Sequence, residues 1–251
     1  MVVLLACFLF QVIKIYPYFP HKNYEVGQAS EENFSNKFSL YTANVLQKNE
    51  NPDLVLADIK KQNPDILLFT ETNTRWKNDL AAVTNSYPYK VEVPLDNTYG
   101  MLFYSRLELK NPEIQFLVDD SIPSIHSILK LRSGEEVMFH AIHPTPPMPQ
   151  HNPSSSDRDA EMMKIAFMVK DSKLPVIVAG DFNDVAWSST TALFQNVGGL
   201  LNTRIGRGFY NTFDASSFIM RWSLDHVFVT EEFRVADFKL GSSIDSDHLP
   251  L

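Results

Sequence analysis

The stretch 178–184 places two polar side chains directly after an apolar run. Residues 174–179 predict a buried strand, and Gly180 ends it before Asp181 and Asn183. A carboxylate at such a strand end can take a proton from water or hold a metal ion, and an amide beside it can bind a substrate oxygen. Since Gly-Asp after a strand is also an ordinary turn sequence, this stretch does not define a function by itself.

Further polar residues occupy the same kind of position, just beyond an apolar strand or at its start. They are Asn44, Glu71, His143, Asp225, His226, Asp247 and His248. Strand ends of a packed sheet can converge on one rim. Asparagine and glutamate oxygens suit Mg²⁺, histidines can stabilise developing negative charge, and an aspartate can activate water. Together these groups predict the hydrolysis of a phosphate ester.

Alternating strand and helix patterns must position these residues. The predicted strands are 38–44, 66–69, 89–93, 100–104, 124–131, 136–142, 227–229 and 233–240, besides the run that ends before Gly180. The predicted helices are 51–63, a segment around 76–83, 156–170 and 188–196. The strand-helix-strand-helix order at the start is typical of a parallel or mixed sheet, and the whole pattern predicts one domain with two sheets.

The composition excludes several classes of protein. The chain has 251 residues, of which 44% are hydrophobic and 21% charged, as in ordinary globular proteins. Its formal net charge of -8 argues against a protein that coats nucleic acid non-specifically. The single cysteine, Cys7, excludes an intrachain disulfide framework and a cysteine-based zinc site.

The N-terminal segment differs from the rest, because residues 2–13 are almost wholly apolar. This run is shorter than the roughly 20 residues of a membrane span, and it lacks the features of a cleavable signal peptide. It is a marginal membrane anchor, the end of a longer membrane region, or a core helix of a soluble domain. We expect residues 1–20 to be this hydrophobic segment, 21–37 a polar linker and 38–251 the catalytic domain. Membrane association is favoured over a soluble cytoplasmic protein.

Six short stretches, in this order, resemble the endonuclease/exonuclease/phosphatase superfamily of DNase I-like nucleases, inositol-polyphosphate phosphatases and neutral sphingomyelinases. They are Thr42-Ala43-Asn44-Val45, Leu68-Phe69-Thr70-Glu71-Thr72, Ala141-Ile142-His143-Pro144, Gly180-Asp181-Phe182-Asn183-Asp184, Leu224-Asp225-His226-Val227 and Ser246-Asp247-His248-Leu249-Pro250. The resemblance implies a four-layer α/β sandwich of two mixed β-sheets packed face to face with helices outside. The hydrophobic segment, the linker and the stretch 199–225 also resemble a membrane-attached bacterial subgroup.

The resemblance also implies a role for each matching residue. Metal-binding residues would be Asn44, Glu71 and Asp247. The catalytic residues would be Asp181, which activates water, Asn183, which holds the phosphate, His143 and His248, which flank it, and Asp225, which pairs with His248. His226 stands where the family often has tyrosine, and it receives no role.

The expected activity is divalent-metal-dependent hydrolysis of a phosphomonoester, phosphodiester or pyrophosphate, with Mg²⁺ or Mn²⁺. The alternatives are a nuclease acting on DNA or RNA and an inactive binding domain of the same fold. A lipid-linked phosphate is favoured as substrate over nucleic acid, with membrane contact through residues 2–13. Substrate-binding side chains are expected among Arg204, Arg207, Arg221 and Trp222 on the pocket rim, the alternative being a solvated surface loop.

Overall fold

Two mixed β-sheets form the centre of the computed structural model, which describes residues 1–20, 22–30, 36–147 and 154–251. The first sheet contains β1 (Leu40–Asn44), β2 (Ile66–Thr70), β3 (Tyr89–Val93) and β4 (Met101–Ser105) in the order β1-β2-β4-β3. β1 and β2 run parallel, and the other pairs are antiparallel. The carboxyl ends of β1 and β2 therefore lie at the same edge of the sheet.

The second sheet has six strands in the order β5-β6-β7-β8-β10-β9. They are β5 (Glu108–Gln115), β6 (Ser124–Lys130), β7 (Glu136–Ile142), β8 (Val176–Asp181), β9 (Leu201–Asn202) and β10 (Asp225–Val229). β7 and β8 are parallel, and β10 runs antiparallel to β8. The ends of β7 and β8 thus meet the beginning of β10.

Local sequence explains where the helices begin and end. They are α1 (Val2–Ile15), α2 (Pro52–Gln62), α3 (Thr74–Thr84), α4 (Ser156–Asp171) and α5 (Ser189–Gly198). Asn73 caps α3 by accepting a hydrogen bond from Trp76 N at 3.1 Å, and Ser188 caps α5 by accepting one from Thr191 N at 2.9 Å. Gly199, with φ +64°, ends α5 in the left-handed conformation that glycine adopts without strain.

The layers pack as helices, sheet, sheet, helices, which confirms the predicted four-layer α/β sandwich. Between the sheets, the rings of Phe103 and Phe139 stack with centroids 4.8 Å apart. α2 and α3 cover the outer face of the first sheet, where Trp76 is fully buried. α4 and α5 cover the outer face of the second sheet, where Phe182 and Phe194 pack edge to face.

One predicted strand was wrong, and two strands, β5 and the two-residue β9, were not predicted. Residues 233–240 form no strand, and within the described chain only an isolated bridge joins Val235 to Gln28. Conversely, β5 was missed because its sequence is largely polar and half or more exposed, as suits an edge strand. A register shift between Lys110 and Glu113 interrupts its pairing, with Asn111 at φ +48°.

The N-terminal helix α1 has no buried residue, so its interpretation as a core helix was wrong. Among the described residues, none of the helices combines the length and apolarity that crossing a membrane requires. The chain after α1 is attached to the domain through Tyr18, which is 4% exposed and donates its hydroxyl to Ala186 O. The predicted linker 21–37 lies partly outside the described residues.

We predict that a pair of buried histidines makes the fold sensitive to acid. His126 and His140 face each other on β6 and β7 with their Nδ1 atoms 2.6 Å apart. Burial lowers the pKa of His126 to about 4 and that of His140 to about 3. In the unfolded chain both histidines have the ordinary pKa of about 6.5. Between this pH and about 4, the unfolded chain therefore binds protons that the folded chain does not. The free energy of unfolding should fall as pH drops from about 6.5 toward 4, by at most about 1.4 kcal/mol per pH unit per histidine.

Denaturant unfolding of the wild type and of H126Q/H140Q across this range checks the prediction. The double variant should show the shallower pH dependence. Equal slopes for the two proteins would contradict a role for this pair.

Candidate active site

The register of the second sheet determines what surrounds Asp181, the last residue of β8. Ile142, the last residue of β7, pairs with Gly180, and Asp225, the first residue of β10, pairs with Asp181. A β-carbon at Gly180 would lie 2.0 Å from Ile142 O, and its φ is +142°, so this close strand approach requires glycine. His143, which follows β7, and Asp225 consequently lie on either side of Asp181.

The side chains converge on one carboxylate oxygen, Oδ2 of Asp181. Asn44, at the end of β1 in the other sheet, donates an Nδ2 hydrogen to it at 3.0 Å. The Nε2 atoms of His143 and His248 lie 3.7 and 3.6 Å from the same oxygen. All four residues are buried. The carboxylate therefore has one firm hydrogen bond from the first sheet and two imidazole rings within electrostatic reach.

Asn44 also links Asp181 to Glu71, which follows β2. Its Nδ2 donates to Glu71 Oε1 at 2.8 Å, and its Oδ1 accepts from Leu46 N at 3.0 Å. Gln47 N donates to the second Glu71 oxygen at 3.3 Å. Glu71 has φ +56°, an uncommon conformation for a residue with a side chain. One amide thus holds two carboxylates from different sheets side by side.

Asp225 and His248 form a directly bonded pair. His248 Nδ1 lies 2.7 Å from Asp225 Oδ2, so the ring donates its Nδ1 proton to the carboxylate. Burial alone would lower the pKa of His248, but the carboxylates of Asp225, Asp181 and Asp247 outweigh it and raise the pKa to about 10. His248 is therefore a cation at neutral pH, with Nε2 directed toward Asp181. The Phe213 ring packs against it at 5.0 Å.

Asn183 is fixed at the turn that follows β8. Its backbone N donates to Asp181 Oδ1 at 3.0 Å, and its Nδ2 donates to Pro144 O at 2.9 Å. Arg158, near the start of α4, donates to Asn183 O at 2.8 Å and lies 3.5 Å from Asp184 Oδ1. Sequence reasoning missed Arg158, because nothing in a helix pattern marks an arginine that is only 8% exposed.

Asp247 is positioned by the preceding residue, Ser246, which bonds to the backbone of Asn44. Ser246 Oγ donates to Asn44 O at 2.7 Å and lies 3.4 Å from Asp247 Oδ1. Thr42 and Leu251 exchange two backbone hydrogen bonds of 2.9 Å, which hold the segment after Asp247 along β1. The structure thus brings the predicted catalytic and metal-binding side chains of both sheets to one rim.

The donor chemistry around Glu71 fits a hard divalent cation. Glu71 offers a carboxylate and Asn44 an adjacent amide, and Asp247 adds a carboxylate next to Ser246, which bonds to the Asn44 backbone. None of the three offers a thiolate. As oriented, Asn44 directs nitrogen rather than oxygen toward Glu71, so it would ligate a cation only after its amide turned over. Ligand atoms of Asp181, Asp225 and His248 also lie within 4.8 Å of one another. Within this second group, His248 already donates its Nδ1 proton to Asp225, and its Nε2 lies 3.6 Å from Asp181 Oδ2.

The predicted role of Arg204 on the pocket rim was wrong. Its side chain is fully buried, and its guanidinium donates to the carbonyl oxygens of Phe209, Tyr210 and Asp225. It also donates to His226 Nδ1 at 2.9 Å, while His226 Nε2 donates to Asp184 O. Arg204 therefore supports the backbone behind the site and offers no donor to a substrate.

The other three predicted substrate-binding residues are half-buried and lie in two places. Arg207 donates to Val26 O at 2.7 Å and lies 4.2 Å from the Tyr24 ring, so it faces the segment after α1. Arg221 donates to Ala215 O at 3.0 Å within its own loop. Trp222 pairs through its backbone with Phe213, beside His248. The backbone of Phe213 thus links Trp222 to His248, whereas Arg221 bonds within its own loop and Arg207 lies elsewhere.

Comparisons with known proteins agree with this geometry. The model of the Endonuclease/Exonuclease/phosphatase family matches residues 41–248. TDP2 of D. rerio with a single-strand DNA product is 18% identical, with TM-score 0.69, over 85% of this chain and 96% of that one. A protein described as the endonuclease/exonuclease/phosphatase from Bacteroides vulgatus is 19% identical, with TM-score 0.68, over 85% and 96%.

The human nocturnin catalytic domain with bound sulfate is 17% identical, with TM-score 0.64, over 85% of this chain and 92% of that one. These three likenesses establish the shared fold. No curated protein matches the sequence.

Replacing Arg204 should destabilise the protein strongly. In R204K a single ammonium cannot serve the four acceptors that the guanidinium reaches, and buried carbonyls lose their donors. We expect the free energy of unfolding to fall by about 3 kcal/mol or more, measured by denaturant titration. The matched control R207K changes a half-buried arginine and should cost less than about 1 kcal/mol. Equal stability of R204K and wild type would contradict the supporting role.

Proposed function

The chain belongs to the endonuclease/exonuclease/phosphatase family, as its six motifs predicted, and we propose that it is a divalent-metal-dependent phosphoesterase. Members of this family are hydrolases that act on phosphate ester bonds. The observation that carries the proposal is the position of Asp181 Oδ2, bonded to Asn44 and flanked by the imidazoles of His143 and His248. A base, two proton donors and an adjacent metal-binding carboxylate are what attack of water on a phosphate ester requires.

Asp181 is the proposed base for the attacking water. The hydrogen bonds from Asn44 Nδ2 and Asn183 N orient the two carboxylate oxygens. The ladder pairing of Gly180 with Ile142 and of Asp181 with Asp225 holds this strand end in place. A fixed carboxylate beside the phosphorus position lowers the entropic part of the barrier.

The two histidines are proposed to stabilise the charge that develops on the phosphate oxygens. His248 presents Nε2–H because Asp225 accepts its Nδ1 proton. His143 presents Nε2 to the same region from the end of β7, and the Tyr99 ring lies 5.4 Å from its ring. Asn183 has one amide hydrogen committed to Pro144 O, and its second amide hydrogen is proposed to bind the scissile phosphate.

Glu71 and Asp247 are proposed to hold the cation, Mg²⁺ or Mn²⁺, while Asn44 keeps its amide hydrogens on Glu71 and Asp181. The predicted role of Asn44 as a ligand would require its amide to give up both bonds. When bound, the ion would supply Lewis-acid stabilisation of negative charge on the phosphate. Glu71 is suited to this role because both of its carboxylate oxygens accept hydrogen bonds from neutral groups. The Asn44 amide donates to Oε1 and Gln47 N donates to Oε2, and these bonds orient the carboxylate without neutralising its charge.

A lipid-linked phosphate ester is our proposed substrate, and we propose membrane association through residues 2–13. The exposed apolar surface of α1 and the net charge of -8 support this choice over nucleic acid. One observation supports the nuclease alternative: the fold is similar to that of D. rerio TDP2, whose structure contains a single-strand DNA product. An inactive binding domain is disfavoured by the complete set of polar groups on the rim.

Substitution of Glu71 tests the proposed metal dependence and the function together. We predict hydrolysis with Mg²⁺ or Mn²⁺, none in excess chelator, and for E71Q a loss of at least about a hundredfold, because the amide removes an anionic ligand. Purified protein is assayed on a chromogenic phosphodiester, a lipid pyrophosphate and plasmid DNA. E113Q, on the exposed edge strand β5, is the control.

Full turnover in chelator would refute the metal requirement. Preference for plasmid DNA over the lipid pyrophosphate would select the nuclease alternative.

The Asp225–His248 pair should affect turnover more than substrate affinity. In D225N the acceptor for His248 Nδ1–H loses its charge, so the cationic ring loses its main stabilising partner. We expect kcat to fall by about a hundredfold or more with KM changed little, measured by steady-state kinetics on the chromogenic substrate. D237N, at an exposed aspartate, is the matched control. An unchanged kcat with a raised KM would mean that the pair acts in binding.

A further inference from the structure

An exposed apolar tip projects from the loop between Phe213 and Trp222. Phe218, Ile219 and Met220 are 94%, 87% and 62% exposed. Scattered apolar residues are normal on a protein surface, but three consecutive large ones at a loop tip form a contiguous patch. Such a patch indicates a site of contact with a membrane or with another protein.

The base of this loop is anchored to the catalytic rim. The Phe213 ring packs 5.0 Å from the His248 ring, and Ala215 N donates to Asp247 O at 2.8 Å. Leu249 N donates to Thr212 O at 2.9 Å on the other side of His248. The apolar tip is therefore held in a defined position relative to the catalytic histidine.

Helix α1 provides a second exposed apolar surface, and it is apolar on all sides. Its 14 residues include no acidic residue and only one basic residue, Lys14, and none is buried. Exposed large side chains occur at successive positions from Val2 to Leu5 and again from Phe8 to Phe10, so they point in every direction around the axis. A protein partner would cover one face of such a helix, whereas hydrocarbon covers all of them.

The two apolar surfaces are attached to the same part of the domain. Tyr18, just after α1, donates its hydroxyl to Ala186 O, and Ala186 N lies 3.5 Å from Ser223 Oγ, next to Trp222. Beyond this anchor, Lys22 Nζ lies 3.7 Å from the centroid of the Tyr16 ring, which directly follows α1. Aromatic and lysine side chains at the end of an apolar helix are typical of a membrane–water interface.

We propose that the tip 218–220 is a membrane-contact element that enters the interface of a lipid bilayer together with α1. The bound protein would then present its catalytic rim to lipid head groups. The proposed membrane contact is inferred from the exposed apolar residues alone. That the substrate is a phosphate ester of a lipid head group rests on the proposed function. Tip residues contribute apolar area that lipid removes from water, without entering the catalytic site.

The experiment uses the full chain and vesicles of equal parts phosphatidylcholine and phosphatidylglycerol. Co-sedimentation gives the partition coefficient of the wild type, of F218S/I219S/M220S, and of the matched control F167S/L193S. Phe167 and Leu193 are 54% and 52% exposed on α4 and α5. We expect the tip variant to lose at least about tenfold in partitioning and the control to keep the wild-type value, since three large apolar side chains leave the interface.

Hydrolysis of a soluble chromogenic phosphoester, measured in parallel, separates the two proposals. Unchanged turnover of the tip variant supports a contact role outside the catalytic machinery. Wild-type partitioning of the tip variant, an equal loss in the control, or no wild-type binding to vesicles would overturn the proposal. The proposal would also be overturned if the wild type associated with itself but not with vesicles, and the tip variant lost this self-association. The tip would then be an interface between copies of the chain. Vesicle binding without hydrolysis of any phosphoester would support the contact and refute the proposed function.

Discussion

The structure depends on how one buried carboxylate is accommodated. Asp181 is 1% exposed, and an ionised carboxylate removed from water is costly unless hydrogen-bond donors surround it. Asn44 supplies a donor from the first sheet, and the backbone of Asn183 supplies another from the following turn. The two sheets are therefore joined by the hydrogen bond between Asn44 and Asp181 as well as by their shared apolar core. A shift of one sheet against the other would break this hydrogen bond.

Two buried arginines support this arrangement from behind. Arg158 holds the backbone of Asn183, and Arg204 holds the carbonyl of Asp225 and the ring of His226. Burial lowers the pKa of Arg204 to about 10, so it still carries its proton at neutral pH. The strand ends that carry Asp181, the proposed base, and Asp225 are thus held by two buried arginine side chains.

Local sequence patterns were sufficient for one domain with two sheets and for the set of strand-end residues, whereas the four-layer arrangement followed from the family resemblance. Apolar runs ended by polar residues identify strand ends such as Asn44 and His143, and parallel pairing brings such ends together. Edge strand β5 escaped detection because its exposed polar sequence carries no alternation.

The role of Arg204 could not be predicted for a different reason. Four acceptors distributed over residues 209–226 bury its charge, and that arrangement exists only after the chain has folded.

If Asp181 acts as the base, its replacement by asparagine must slow the hydrolytic step itself. D181N keeps the size of the side chain and removes its capacity to accept a proton at neutral pH. Single-turnover hydrolysis of a chromogenic phosphodiester with saturating Mg²⁺ should slow by at least about a thousandfold, while inorganic phosphate still binds and the fold persists. A D181N rate within about tenfold of wild type would contradict the account, because that factor corresponds to only about 1.4 kcal/mol of barrier.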